Sequence, residues 1–184
     1  MTSAATRLTD DEGTFLALLI RVQPATAYQL SKIYAESPVS NFGTSKGKIY
    51  PLVDRLVKRG LLEKRAVSGD ARGSDWLNCT ATGEEAVRTW VMEIKPTHLL
   101  LDDPLRTKVQ SFDLLSRDEQ LDWIVSAKEG LQQKLDDLDV YSVEVAVPFK
   151  DQVHDNAVSS VRSRMEWLDR LLASIVKARD STES

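Results

Sequence analysis

Apolar residues recur along this chain at three- and four-residue spacing, broken by proline, glycine and short polar runs. That punctuation predicts a mainly α-helical protein. Asp10 and Asp11 precede Phe15, Leu16, Leu18, Leu19 and Ile20. Acids in a first turn complement the helix dipole, so a first helix is predicted here, nearly all apolar and therefore central to a core. Val22-Gln23-Pro24 ends it. Thr26 then stands three residues before Gln29, the spacing of a reciprocal cap, and opens a second helix with Tyr28, Leu30, Ile33 and Tyr34, closed by Ser37-Pro38. A third helix starts at Ser45, a candidate N-cap, and buries Ile49, Leu52, Val53 and Leu56. Lys46, Lys48, Tyr50, Asp54 and Lys58 fall on its other faces. Pro51 sits in an early turn, where a missing donor is tolerated best, and Gly47 four residues back adds no side chain to the crowding. Gly60 stops the helix.

The period then changes. Leu61–Val67 and Asp75–Thr80 are β-capable runs flanking the turn-rich stretch Ser68–Ser74, which predicts a hairpin with Arg72 near its tip. Thr80 or Thr82 opens a further helix, with Glu84 and Glu85 in its first turn and Val87, Trp90, Val91 and Ile94 as its apolar side. Beyond it, Asp103-Pro104 is a cap followed by proline at the first helical position. Ser116 and Glu119 have capping-box spacing before a long helix with Leu121, Ile124, Leu131, Leu135 and Leu138. Val140–Lys150 reads as a linker. A last helix carries Val153, Ala157, Val161, Leu168, Leu171, Leu172 and Ile175. The expected fold is an N-terminal winged helix-turn-helix, residues 1–95, made of three helices plus a β-hairpin wing. An all-helical dimerisation domain follows over residues 96–184. Met1–Leu8 and Asp180–Ser184 are expected to be loose ends.

Charge sharpens this picture. The 184-residue chain carries a net −4, but residues 1–95 hold 13 Lys and Arg against 11 Asp and Glu, a net of +2, and residues 96–184 hold 11 against 17, a net of −6. Residues 41–72 alone hold eight bases against three acids, the local patch that phosphate contact requires.

The helix-three residues Ser45-Lys46-Gly47-Lys48-Ile49-Tyr50-Pro51-Leu52-Val53-Asp54-Arg55-Leu56, followed by Arg59-Gly60-Leu61-Leu62, combine an unusual helical proline with glycine and tyrosine at fixed offsets. Ala27-Tyr28-Gln29-Leu30 and Cys79-Thr80-Ala81-Thr82-Gly83 accompany them. Over Thr14–Trp90 the sequence resembles the PadR-like family of bacterial transcription regulators. The departures are Ala27 in place of a frequent glycine, and Trp76-Leu77-Asn78 in a strand that is commonly aromatic. The resemblance implies a repressor that binds double-stranded DNA as a homodimer, with a small planar effector. A recognition helix reaches base edges with its N-terminal residues, so Thr44, Ser45, Lys46, Lys48 and Tyr50 are the expected groove-facing set. Tyr28, Gln29 and Lys32 belong to the helix that crosses the backbone, and Arg72 suits a phosphate or minor-groove contact. For Tyr50 packing against the second helix is the competing reading, for Tyr28 a core position, for Arg72 a solvated arginine, and for Arg55 a structural ion pair. Trp90 and Trp123 are candidates for the effector, against ordinary packing.

Two long amphipathic helices attached to a small domain have little core of their own, which points to a second copy of the chain. A MarR-like regulator is the near alternative, but those dimerise with helices from both chain ends and only a short polar segment precedes the first helix here. A winged-helix module that binds protein and not DNA is the alternative from another class, disfavoured by the basic window. His98 and His154 lack metal-ligand spacing, Cys79 has no nucleophile signature around it, and no phosphate-cradling glycine loop is present. Neither catalysis, a cofactor nor a metal is expected. One cysteine, no apolar leader in Met1–Arg7 and no long apolar run together suggest the cytoplasm and no membrane role.

Overall fold

The computed structural model describes residues 7–37, 40, 42–43, 45–68, 73–100, 102–140 and 148–180, without the side chains of residues 46 and 178–180. It divides into two compact units, one holding the described residues up to His98 and the other those from Leu99 onward.

In the N-terminal unit the order is α1 (Asp10–Val22), β1 (Ala25–Thr26), α2 (Ala27–Glu36), α3 (Lys46–Lys58), β2 (Leu62–Ala66), β3 (Asp75–Cys79), α4 (Ala81–Met92) and the short α5 (Pro96–Leu99). Most boundaries follow from local chemistry. Thr26 and Gln29 close the expected reciprocal cap, with Oγ1 accepting from the Gln29 amide at 3.2 Å and Oε1 accepting from the Thr26 amide at 2.8 Å. α1 opens on a second such box that the sequence pattern did not reveal, Thr9 with Glu12. Ser45 occupies the N-cap position of α3 but its hydroxyl makes no cap bond; only its carbonyl is engaged, by the amides of Lys48 and Ile49. Gly60 takes φ +69°, the left-handed geometry that ends α3 and that a β-carbon opposes.

The hairpin of β2 and β3 is antiparallel, with Leu62 opposite Cys79 and Ala66 opposite Asp75. β1 adds a third strand outside β3, pairing Ala25 with Leu77 and Thr26 with Trp76. Beneath the sheet, Phe15, Leu16 and Leu19 of α1 meet Leu30, Ile49, Leu52, Val53, Leu56, Leu61, Leu62 and Leu77 in one core. Leu8, expected in a loose end, is buried in that core. α4 lays Gly83, Ala86, Val87 and Trp90 along α1, the i, i+3, i+4, i+7 stripe. Val91 lies off this stripe and is exposed. Ile94 is exposed because α4 has already ended at Met92. Both were expected on the apolar side, and neither is there.

The helical unit contains α6 (Pro104–Val109), a 3-10 turn (Phe112–Leu114), α7 (Arg117–Val140) and α8 (Lys150–Asp180). Asp103 caps α6 ahead of Pro104, and Ser116 with Glu119 caps α7. Ile124, Leu131 and Leu138 of α7, seven residues apart, are buried with Val158, Val161 and Leu168 of α8. Seven-residue spacing keeps one seam facing one partner helix. The two stripes therefore have an intramolecular partner in each other, more core than the sequence suggested. Val153, expected in the α8 stripe, is exposed. Within the expected linker Val140–Lys150, residues 141–147 lie outside the described ones.

Candidate nucleic-acid interface

α3 is held by its apolar face. Ile49, Leu52, Val53 and Leu56 are each at most 4% exposed. That fixes which residues face outward: Ser45, Gly47, Lys48, Pro51, Asp54, Arg55 and Lys58 are all exposed, and Tyr50 is 50% exposed. Tyr50 is therefore not a core residue. The Lys48 stem lies close over Gly43, where an added β-carbon would sit 2.6 Å from its Cδ. Beside it a shallow depression of about 230 Å³ is lined by Gly47, Lys48, Pro51, Arg55, Phe42 and Asp11. A β-carbon added at Gly47 would meet nothing within 4 Å, so this glycine is not required by the internal packing.

On α2, Tyr28 is 71% exposed and Lys32 is exposed with a loose i, i+4 contact to Glu36 at 3.6 Å. Tyr28 is thus not a core residue. Gln29 is exposed, and its Oε1 is already engaged in the α2 cap. The structure therefore presents Tyr28, Gln29, Lys32, Ser45, Lys48 and Tyr50 on α2 and the first half of α3. Thr44 and Arg72 lie outside the described residues, as does the Lys46 side chain. Among the described wing residues, Lys64 and Arg65 are exposed on the edge strand β2, and Gly73 takes φ +67°.

Not all of the basic window is available to a ligand. Lys64 binds Asp54 at 2.7 Å, joining the wing to α3. Arg59 and Arg55 reach Glu12 of α1 at 2.8 and 3.6 Å. Glu12 is 4% exposed, an acid to which the sequence pattern gave no role. Burial acts to raise its pKa, but the Thr9 amide and then the Arg59 and Arg55 charges outweigh this and hold it below the usual carboxylate range. Arg55 thus takes the structural ion pair, by one edge, while its side chain stays 56% exposed.

A second cluster tethers the end of this unit. Asp10 accepts from the Trp90 indole Nε1 at 3.0 Å and the Lys95 Nζ at 2.9 Å, with His98 Nε2 at 3.4 Å. The Trp90 hydrogen bond first, then Lys95, holds the Asp10 carboxyl down to about 2. A depressed folded-state value stabilises above the unfolded value of about 4, and the benefit is lost as pH falls through about 2. The group is half exposed, so its weight is small. Asp10→Asn is expected to lower the melting temperature by about 2–4 °C at pH 7, with the difference from wild type gone near pH 2. A constant difference across that range in thermal unfolding would show that charge is not the cause.

The two effector candidates are both occupied in packing. Trp90 lies over Gly13, where an added β-carbon would stand 2.3 Å from its ring, and joins the N-terminal core. Trp123 belongs to the helical unit and meets Phe112 edge to face, ring centroids 5.0 Å apart. Cys79 is half buried, its Sγ directed at the Leu61 carbonyl, and burial followed by the Glu84 charge pushes its thiol up to about 11, the opposite of activation. Among the described residues no group of three or more His, Cys, Asp or Glu gathers as for a metal ion, and no helix is long and apolar enough to cross a membrane.

Residues 15–89 match the family model described as the transcriptional regulator PadR-like family. Solved structures of the same fold include Bacillus subtilis PadR in complex with operator DNA, at 21% identity and TM-score 0.72, covering 89% of this chain and 98% of that one. The PadR-like transcriptional regulator BC1756 from Bacillus cereus matches at 18% identity and TM-score 0.72, covering 95% and 99%. Bacillus subtilis PadR in complex with p-coumaric acid matches at 20% identity and TM-score 0.68, covering 89% and 97%. At these identities the likeness is one of fold. No curated protein matches the sequence.

Proposed function

We propose that this chain, whose residues 15–89 are a PadR-like domain, is a sequence-specific DNA-binding transcriptional regulator that acts as a homodimer on an inverted-repeat operator. One observation carries the reading. Ser45, Lys48 and Tyr50 stand exposed on the first turns of α3, the helix whose opposite face is locked into the core, with Tyr28, Gln29 and Lys32 exposed on α2. That is the division of labour of a helix-turn-helix, in which the second helix enters the major groove and the first crosses the phosphates. The solved relative bound to operator DNA supports it.

Thr44, Ser45, Lys46, Lys48 and Tyr50 supply the base-edge and nearby phosphate contacts. Tyr28, Gln29 and Lys32 hold the backbone. Arg72, carried between β2 and β3, adds a wing contact. Residues 1–95 bind DNA and residues 96–184 pair the protomers. Pairing draws on the apolar side chains that unit still exposes beyond its own core, among them Val125, Val140, Val153 and Val176. A fragment ending at His98 is expected to sediment as a monomer where the full chain sediments as a dimer. A fragment that pairs as tightly as the whole chain would move the interface into the winged helix.

The regulatory sign is repression, relieved by a planar aromatic acid; the relative solved with p-coumaric acid supports that ligand class. The test of the reading is selection of DNA by the full chain from a random duplex pool. An enriched inverted repeat is expected, its half-sites about 10–10.5 base pairs apart or a multiple of that. A pool that stays random points instead to a protein-binding winged helix.

A further inference from the structure

We infer that Glu12 is the positioning residue for α3: its buried carboxylate on α1 sets the pitch at which the reading helix is presented. The inference rests on the DNA reading above and names what makes that reading selective.

Most of what holds α3 is apolar. Ile49, Leu52, Val53 and Leu56 pack without directional preference, which secures the helix but leaves roll and tilt soft. Directional anchors sit near the other end of the helix from the candidate contacts. Arg55 and Arg59 are one turn apart on the same side of α3, and both turn to Glu12. Oε2 of Glu12 accepts from Arg59 Nη1 at 2.8 Å and from the Thr9 amide at 3.1 Å, while Oε1 faces Arg55 Nε at 3.6 Å. Arg59 Nη2 also donates to the Arg7 carbonyl at 2.6 Å, so one guanidinium is fixed at two points, on α1 and on the chain just before it. Charge-assisted bonds of this kind are directional as well as strong. A second anchor, Lys64 with Asp54, lies on an exposed side and is correspondingly weaker.

The lever arm makes the anchor matter. α3 spans 13 residues, about 20 Å, so a tilt of about 5° at its C-terminal anchor displaces the N-terminal turn by about 1.5 Å. Bidentate base contacts do not survive a displacement of that size, whereas phosphate contacts by flexible lysines do. Loss of the anchor therefore removes discrimination before it removes affinity.

The experiment compares three full-length variants on the duplex that wild type enriches and on a scrambled duplex of equal length and composition. Glu12→Gln can still accept from the Thr9 amide but abolishes the charge that both arginines answer. Thr9→Ala breaks the same α1 cap and leaves the arginine contacts. Both lower the melting temperature. Only Glu12→Gln is expected to reduce the ratio of specific to scrambled affinity, by about tenfold, and Thr9→Ala is expected to stay within about twofold of wild type. Arg59→Lys, which keeps the charge but loses the second anchor point, is expected to move the ratio the same way by about threefold and covers the case of an unfolded Glu12→Gln. Undiminished discrimination in the folded variants overturns the inference alone. A wild type that enriches no sequence overturns the DNA reading, and this inference with it.

Discussion

Gly83→Ala is expected to destabilise the N-terminal unit by about 3 kcal/mol or more, enough to abolish DNA binding by unfolding. The cause is where α4 begins. Thr80 caps α4, its Oγ1 accepting from the Gly83 amide at 3.0 Å while its own hydroxyl donates to the Gly60 carbonyl at 2.8 Å. Its amide donates to the Leu61 carbonyl at 3.2 Å. These bonds draw the first turn of α4 onto the chain between α3 and β2, and a β-carbon at residue 83 would sit 2.2 Å from the Leu61 oxygen and 2.6 Å from Cys79 Sγ. A backbone carbonyl cannot move aside as a flexible side chain can. Either the cap or the β2–β3 register must open, and both border the core around Leu61 and Leu62. Gly47→Ala is the control, since its β-carbon meets nothing and alanine is the better helix former by about 1 kcal/mol. Chemical denaturation of both variants decides the matter. Equal midpoints would show that the close approach at Gly83 relaxes at little cost.

Lys48→Ala and Tyr50→Ala are expected to weaken the enriched duplex by about 1–3 kcal/mol each while leaving scrambled DNA less affected. Stability should hardly change, because both side chains are exposed and the buried face of α3 is untouched. Arg72→Ala should behave differently. In its proposed role of binding phosphate it would support both duplexes alike, so its removal is expected to weaken both. The dependence of binding on salt flattens too, by about 0.9 in log–log slope for each phosphate no longer neutralised. Two copies per dimer double that. Anisotropy titrations of the three variants separate the roles. If Arg72→Ala erases sequence preference at constant slope, wing and helix have exchanged tasks. If none of the three matters, the DNA-binding face lies elsewhere.

How far these residues could be read from sequence depended on how local their chemistry is. The Thr26–Gln29 and Ser116–Glu119 caps, the stop at Gly60 and the cap at Asp103-Pro104 each complete themselves within a few residues, so spacing sufficed. The buried stripe of α3 was equally legible, and its exposed complement followed from it. Glu12 was not. In sequence it is the third acid of Asp10-Asp11-Glu12, and a run of acids in a first turn reads as dipole complement. Its burial depends on arginines more than 40 positions away. Asp10 was hidden for the same reason, its donors being Trp90 and Lys95. β1 has two residues and owes its existence to Trp76 and Leu77, so no pattern within it could announce a strand. At the end of α4, Val91 and Ile94 imitate a continuation of the apolar face of Val87 and Trp90, but the stripe that α1 accepts runs through Gly83, Ala86, Val87 and Trp90 and stops there.

The glycines show how packing explains a motif that spacing alone only records. Gly60 needs a positive φ and Gly83 needs room under a carbonyl, whereas Gly47 needs neither. An exposed glycine on the outer face of α3 leaves its backbone open to close approach from outside.

Whether this fold reads DNA sequence is tested most directly by one titration. Fluorescence anisotropy of the full-length protein would be measured on the enriched duplex and on its scrambled counterpart at several salt concentrations. Binding to the enriched duplex is predicted to be tighter by about 10³-fold or more near physiological salt, with both affinities falling linearly in log–log form as salt rises. Equal affinity for the two duplexes at every salt concentration, or binding to neither, would contradict it.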